Sequence, residues 1–366
     1  MIANQRHLFD IPEGVTYLNS AARSPLLRAS IAAGEAGITR KAQPWAVDPR
    51  TVPDEAETLR RLFAGLIGAT ADDIAIVSST SFGAAVAARN LPVGAGQTIL
   101  VPEAPFPSHH LVWQDLAADH GARIETIPEP ADGDWTAATL ERIGTDTAVA
   151  ALPPCRWYNG AIIDAEAVGA RCRETGTAFV LDATQTVGAM PMDVARIQPD
   201  FIIASAYKWL LCPYTLGFIY AAPHRQDGRG IEVHQSNHDG EGPAPGARRY
   251  DMGEVFNPIN LPMAVAALEQ ITAWTPALIS ETLRLLTDRV AEAGAERGLT
   301  APPAVGRVGH YIGLQSETGW PDGMIEALAA DDIHLCLRAG ALRASPYLFN
   351  TPADVDRLFK ALDRLL

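Results

Sequence analysis

The chain has 366 residues, of which 48% are hydrophobic and 20% charged, and its formal net charge is −14. That length suits two domains with full cores, and the composition is that of a folded globular protein. The acidic balance argues against a sequence-independent nucleic-acid binder, which needs clustered Lys and Arg to replace counterions, and leaves a small-molecule enzyme as the default. Cys155, Cys172, Cys212 and Cys336 form no C-x-x-C pair. No metal or redox motif is therefore assigned, and reduced thiols in a cytoplasmic protein are expected. The opening stretch, MIANQRHLFDIPEG, has no apolar run of signal-peptide length.

Residues 54–69 show helical apolar spacing. Short apolar runs follow at 74–78, 98–102, 147–152, 177–182, 200–205 and 216–220. Helix-like stretches at 83–90, 108–120, 135–142 and 164–175 separate most of them. The alternation predicts an α/β fold with a mostly parallel sheet covered on both faces, and ligands at the carboxyl ends of its strands. Residues 201–222 approach membrane-span length. Lys208 sits in their middle and Pro213 and Gly217 follow, so they predict two buried strands flanking a functional loop, with no membrane partner. Residues 227–248, rich in Gly, Pro and charge, predict a long exposed loop that helps shape a substrate pocket. Helices at about 261–274 and 276–298 come next, then strands near 308–315 and 333–338, a short segment around 341–345 and a helix at 352–366. A smaller α/β domain of residues 1–14 and 260–366 is expected beside a large domain of residues 15–259.

The densest chemical signal is LDATQTVGAMPMD followed by PDFIIASAYKWLLCPYTLGFIY. Asp182 closes one apolar run, with Gln185 shortly after it, and Lys208 follows the next run, 26 residues beyond Asp182. Neighbouring parallel strands bring such ends together. A carboxylate and a lysine so placed suit pyridoxal 5′-phosphate (PLP). The carboxylate keeps the pyridine nitrogen protonated, and the lysine forms a Schiff base and shuttles the proton at the substrate α-carbon. Burial near a cationic ring lowers the lysine pKa, as that transfer requires. Taken singly, each residue has a plainer explanation: a helix cap for Asp182, a solvated loop lysine for Lys208.

Together these motifs resemble the class V aminotransferase family of PLP enzymes, which includes cysteine desulfurases, kynureninases and isopenicillin-epimerase-like proteins. The resemblance runs over nearly the whole chain. It implies the PLP-dependent transferase type I fold, with a mainly parallel seven-stranded sheet in the large domain. It also implies Asp182 on the ring nitrogen, Gln185 on the phenolic oxygen and Lys208 as the catalytic group on the aldehyde carbon. In IVSSTSFGAAVAARN a strand ends and a helix opens near Phe82. A helix start is an anion site, and the resemblance assigns the cofactor phosphate to Thr80, Ser81 and Phe82; ordinary helix capping explains the same residues. In EAPFPSHHLVWQ, Phe106 stands where the family lays a flat ring over the cofactor, in an F-P-S form like the kynureninase branch. A phenyl face stacks on pyridine but exchanges no proton, unlike the histidine of desulfurases. His109 and His110 are adjacent, point in different directions and have no evident third ligand.

Ser205 and Tyr207, just before Lys208, fall where the family contacts the phosphate. RYDMGEVFNPINL is similar to a segment that crosses a dimer to the neighbour's phosphate, which gives Asn257 that contact and implies a homodimer with shared active sites. CRWYNGAIID puts Arg156 where a His or Asn meets the phenolic oxygen or the substrate; here it either anchors an anion or forms a structural ion pair. In ALRASPYLFNTP, Arg343 matches the arginine that clamps the substrate α-carboxylate through two parallel hydrogen bonds. Asn19, in VTYLNSAARSPL, falls in the segment that lies over the active-site mouth. The expected activity is that of a PLP-dependent aminotransferase acting on a small-molecule amino-acid substrate. The alternatives are a β-eliminating C–S lyase or desulfurase, a kynureninase-like hydrolase and a non-catalytic PLP-binding regulator. A desulfurase needs a mobile cysteine nucleophile between the segments HLCLRAG and ALRASP. That interval is very short, and Cys336 lies inside an apolar strand pattern, which disfavours persulfide chemistry.

Overall fold

The computed structural model describes residues 1–238 and 240–366; Asp239, inside the predicted 227–248 loop, lies outside the described residues. The chain opens with β1 (Thr16–Tyr17), α1 (Arg28–Ala42) and α2 (Thr51–Ile67). Strands and helices then alternate through β2 (Ile74–Val77), α3 (Thr80–Asn90), β3 (Thr98–Pro102), α4 (Leu111–His120), β4 (Arg123–Ile127), α5 (Trp135–Arg142), β5 (Thr147–Leu152), α6 (Ala165–Thr175), β6 (Ala178–Asp182), α7 (Val194–Ile197), β7 (Phe201–Ser205) and β8 (Gly217–Ala221). The remainder holds α8 (Asn260–Trp274), α9 (Pro276–Ala295), β9 (Ile312–Leu314), α10 (Met324–Ala330), β10 (Ile333–His334), β11 (Cys336–Arg338), β12 (Ala341–Ala344) and α11 (Pro352–Leu362).

One seven-stranded sheet runs in the order β2-β8-β7-β6-β5-β3-β4. Its pairings from β7 to β4 are parallel, and β8 runs antiparallel to both of its neighbours. Successive residues of β7 serve opposite faces. Ile202 and Ala204 join a core with Leu59 and Phe63 of α2, while Phe201 and Ile203 join one with Val86 of α3 and Trp113 of α4. Both faces are thus covered, as a parallel sheet requires. The run at 201–222 forms β7 and β8 with the Lys208 loop between them, and no described helix is long and apolar enough to cross a membrane.

The C-terminal region forms an antiparallel sheet of order β11-β12-β9. β1 pairs in parallel with β10, and Ser20 N–H bonds Ser345 O at 3.0 Å, so the chain's start is held against its end. α8 packs on α1 and α2.

Several elements differ from expectation. β4 escapes the apolar pattern because it is an edge strand whose residues, Ile127 apart, are not buried. The predicted helix at 83–90 opens earlier, at Thr80, because Ser79 caps it by accepting from Phe82 N–H. The segment at 227–248 is not a freely exposed loop. Asn237 and Ala247 within it are fully buried, and none of its described residues lines the recess at the strand ends.

Candidate active site

The parallel strands end together, and the loops that leave them enclose a recess with about 600 Å³ of empty space, its mouth included. That is the place expected of a ligand site in an open α/β sheet. Lys208 enters it from the loop between β7 and β8. The loop is tied across itself: Ala206 N–H bonds Leu216 O and Cys212 N–H bonds Ala206 O, each at 3.0 Å. Leu211 and Thr215 take left-handed φ values of 54° and 59° to make the bends.

The Lys208 side chain is 6% exposed. Its Nζ lies 5.3 Å from the Phe106 ring centroid and 5.7 Å from that of Tyr207. Burial first, then the Arg343 charge, lower the lysine pKa to about 8 against the opposing Asp182 charge. Asp182, the last residue of β6, is 9% exposed and accepts Thr184 N–H at 3.1 Å. Gln185 is fixed from both ends: its Oε1 accepts Trp209 Nε1–H at 2.8 Å and its Nε2 donates to Ala21 O at 3.0 Å.

Where α3 begins, three hydroxyls meet. Thr80 Oγ1 bonds Ser205 Oγ and lies 3.3 Å from Thr184 Oγ1, which accepts Ser205 N–H at 3.1 Å. Phe106 sits edge-to-face on Trp157, with centroids 5.7 Å apart. His109 lines the recess and is buried, with Nε2 lacking a partner. Burial lowers its pKa, with the Asp182 charge opposing. Arg156 also lines the recess and is fully buried, its Cζ 4.2 Å from the Trp135 ring centroid.

The recess therefore gathers Lys208, Asp182, Gln185, Thr80, Ser205, Tyr207, Phe106 and Arg156 in its lining. Arg343 and Asn19 are not part of that lining. Arg343 is 2% exposed, donates from Nη1 to Trp157 O at 2.7 Å, and leaves Nε unpartnered; burial lowers its pKa. Cys336 lies between the two, bonding Asn19 Oδ1 at 3.1 Å with its Sγ 3.7 Å from Arg343 Nη2. Ser81, Phe82 and Asn257 fall outside the recess. Phe82 N–H is taken by Ser79 Oγ at 3.2 Å. Asn257 Oδ1 accepts Ile259 N–H at 2.9 Å and Asn260 N–H at 3.0 Å, at the start of α8.

Sequence reasoning misses Thr184, Trp157, and the pair Trp209 and His310. Thr184 sits inside the quoted D-A-T-Q motif, so its signal is present. His310 gives none, yet its Nε2 bonds Gln185 O at 2.6 Å and its ring meets Trp209 edge-on at 4.5 Å. For His109 and its neighbour, among the described residues no group of three or more His, Cys, Asp or Glu is placed to hold an ion.

This donor set fits the predicted cofactor. A buried amine and a buried carboxylate line one recess with the Phe106 ring, and a hydroxyl cluster stands at a helix start. His109 Nε2 and the free donors of Arg156 are orphaned polar atoms in the same lining, and buried polar groups are rarely left without partners.

The model of the family Aminotransferase class-V matches residues 17–227. Isopenicillin N epimerase of Streptomyces clavuligerus is 26% identical over 347 residues, which span 86% of each chain. Kynureninase of Deinococcus radiodurans is 29% identical over 280 residues, 69% of this chain and 64% of that one. A solved structure of a C-DES mutant, with glycine covalently linked to its PLP cofactor, superposes with a TM-score of 0.87 at 18% identity, covering 99% of this chain and 100% of that one.

Proposed function

The chain belongs to the aminotransferase class-V family, and from that premise we propose that it is a PLP-dependent aminotransferase that takes an α-amino acid and holds its cofactor through Lys208. The observation that carries this reading is the Lys208 amine, buried in one recess with the Asp182 carboxylate and held to a pKa of about 8. PLP supplies an aldehyde for covalent attachment and a ring that draws electrons from the bonds at the substrate α-carbon.

Asp182 holds a proton at the ring nitrogen, since its carboxylate is buried and bonds only one backbone N–H in its own turn. Phe106, braced by Trp157, would offer a flat face to the cofactor ring. The hydroxyls of Thr80 and Ser205 meet the phosphate. Lys208 Nζ, neutral above about pH 8, would hold the cofactor and would be the group placed to move the substrate's α-proton. Arg343, with Nε free beside Trp157, orients the α-carboxylate. Cys336 bonds Asn19 and lies within strand β11, where it has neither the mobility nor the freedom a persulfide-forming nucleophile needs. The same reading makes the protein a cytoplasmic homodimer in which Asn257, whose Nδ2 is not used by its cap, meets the partner's phosphate.

Two measurements in sequence test this. PLP added to the purified protein should raise a visible absorbance band that Lys208→Ala abolishes; an unchanged spectrum in wild type removes the cofactor assignment. The loaded protein, given amino acids with a pool of keto acids, should convert an acceptor keto acid to its amino acid. Pyruvate released with ammonia or sulfide, with no acceptor present, would replace transamination by C–S lyase chemistry.

A further inference from the structure

We propose that Arg156 is the anion-binding end of a second substrate subsite, so that the preferred substrate is an α-amino acid whose side chain ends in an oxyanion, a carboxylate or a sulfinate. This rests on the amino-acid reading above and adds the substrate class to it.

Arg156 has no exposed surface, yet it lines the recess that holds Lys208, Asp182 and Phe106. Its guanidinium lies 4.2 Å from the Trp135 ring centroid and 5.1 Å from that of Tyr158. Nη2 donates to the carbonyl oxygens of Glu103 and Ala104. Nε and Nη1 are buried with no partner. The hydrogen-bonding contacts of the guanidinium therefore end on neutral groups, the carbonyls and the Tyr158 hydroxyl, and the exposed carboxylate of Glu129 bonds that hydroxyl at 3.3 Å. The structural ion pair that the sequence left open for Arg156 is thus not formed through those donors.

A desolvated cation without an anion is costly, and aromatic faces offset part of that cost. The unfilled Nε–H and Nη1–H donors suit the oxygen of a carboxylate or sulfinate, which accepts a charge-assisted hydrogen bond. The anion is not the substrate's α-carboxylate, which has Arg343. Arg343 binds the carbonyl of Trp157, the residue that follows Arg156 in the chain. Two buried guanidiniums thus flank Trp157, each with an unpartnered nitrogen. On the reading above the α-carboxylate goes to Arg343, and a plain aliphatic side chain leaves Arg156 unpaired. The cofactor's own oxyanions have other candidates: the phosphate meets the Thr80 and Ser205 hydroxyls, and the phenolic oxygen meets Gln185.

The test uses the cofactor-loaded protein, titrated with alanine, aspartate, glutamate and cysteine sulfinate, with binding read from the change in cofactor absorbance. At least one acidic amino acid should bind more than about tenfold tighter than alanine, and Arg156→Gln should remove roughly 30-fold or more of that affinity, a much larger loss than the same variant shows for alanine. The aspartate, glutamate and sulfinate arms identify the length and kind of oxyanion. Equal binding of alanine and every acidic amino acid by wild type overturns the proposal. So does loss of the visible band in folded Arg156→Gln, which would assign the guanidinium to the cofactor. Should that variant not fold, wild type decides alone: glutarate must raise the melting temperature of the loaded protein more than butyrate at the same concentration, and equal shifts overturn the subsite. Absence of the visible band in wild type, seen before any amino acid is added, marks failure of the cofactor reading instead.

Discussion

The recess disfavours the charge on Lys208. Burial acts first, Arg343 adds repulsion, Asp182 offsets part of it, and the pKa falls from 10.5 to about 8. In the unfolded chain the lysine titrates near its ordinary value. Between about pH 8 and that value the unfolded state binds the extra proton, so stability rises with pH across this window and is flat below it. At pH 7 both states are charged, and the folded protein carries a burden of roughly 3 kcal/mol. The cofactor-free Lys208→Met variant should therefore melt higher than cofactor-free wild type at pH 7, with the gap closing as pH rises from about 8 toward the unfolded value. Calorimetry across that range checks it, and a gap that ignores pH would contradict the burial argument. Lys208, Asp182 and Phe106 were legible in the sequence because each stands at a strand end within a recognisable motif. The hydroxyl cluster was legible only in part. Thr80 and Thr184 are 104 residues apart, and a hydrogen bond over that separation leaves no local pattern. The same holds for His310, which reaches Gln185 across 125 residues.

At the level of elements, helices α1 and α2 make opposite cases. α2 places Leu59, Phe63 and Leu66 in the core, and that spacing was visible as an apolar helix face. The buried positions of α1 are Ser30, Gly34 and Gly37, so no apolar period marks it. Its packing is set by absence of side chains. A Cβ on Gly37 would stand 2.2 Å from Pro258 O, and one on Gly34 would stand 2.7 Å from Met263 Sδ. The first obstacle is backbone just ahead of α8; the second is a flexible side chain that can move. Gly37→Ala should cost about 1–3 kcal/mol by overpacking. Gly65 is exposed on α2, and a Cβ added there would meet nothing within 4 Å. It gives the control: Gly65→Ala should stabilise by up to about 1 kcal/mol through helix propensity. Urea denaturation of the two variants measures both signs. A neutral Gly37→Ala would mean that α1 and α8 are not in close contact.

Across the whole molecule, the sheet's β2 edge is closed by polar groups. Asp251 Oδ1 accepts Ile76 N–H at 2.8 Å, and Met252 N–H donates to Ile76 O at 3.0 Å. Arg60 of α2 donates to Ile74 O at 2.8 Å and pairs with Asp251, with the two side chains 2% and 1% exposed. Arg248 extends the tie to Glu57 and Asp72. This explains why residues 227–248 and their continuation looked like a loop. A strand edge presents N–H and C=O groups, so the chain that covers it needs polar partners rather than an apolar pattern. β2 leads directly into the hydroxyl turn at Thr80, so the tie also holds one wall of the recess in place. Burial raises the Asp251 pKa and Arg60 opposes the rise, so the carboxylate depends on its partner and the partner on it. Asp251→Ala leaves buried Arg60 with only its Nε contact to the half-exposed Glu57 carboxylate at 3.1 Å and Ile76 N–H without an acceptor, and should cost about 3–5 kcal/mol. Arg60→Met lets the carboxyl take up a proton and keep its bond to Ile76, so it should cost less. If the pair is the tie, adding Arg60→Met to Asp251→Ala should recover part of the loss, with a coupling of about 0.5–3 kcal/mol in a double-mutant cycle. Chemical denaturation of the four proteins gives that coupling. Additive losses would mean that the edge is held by the backbone bond at Met252 and not by the buried charges.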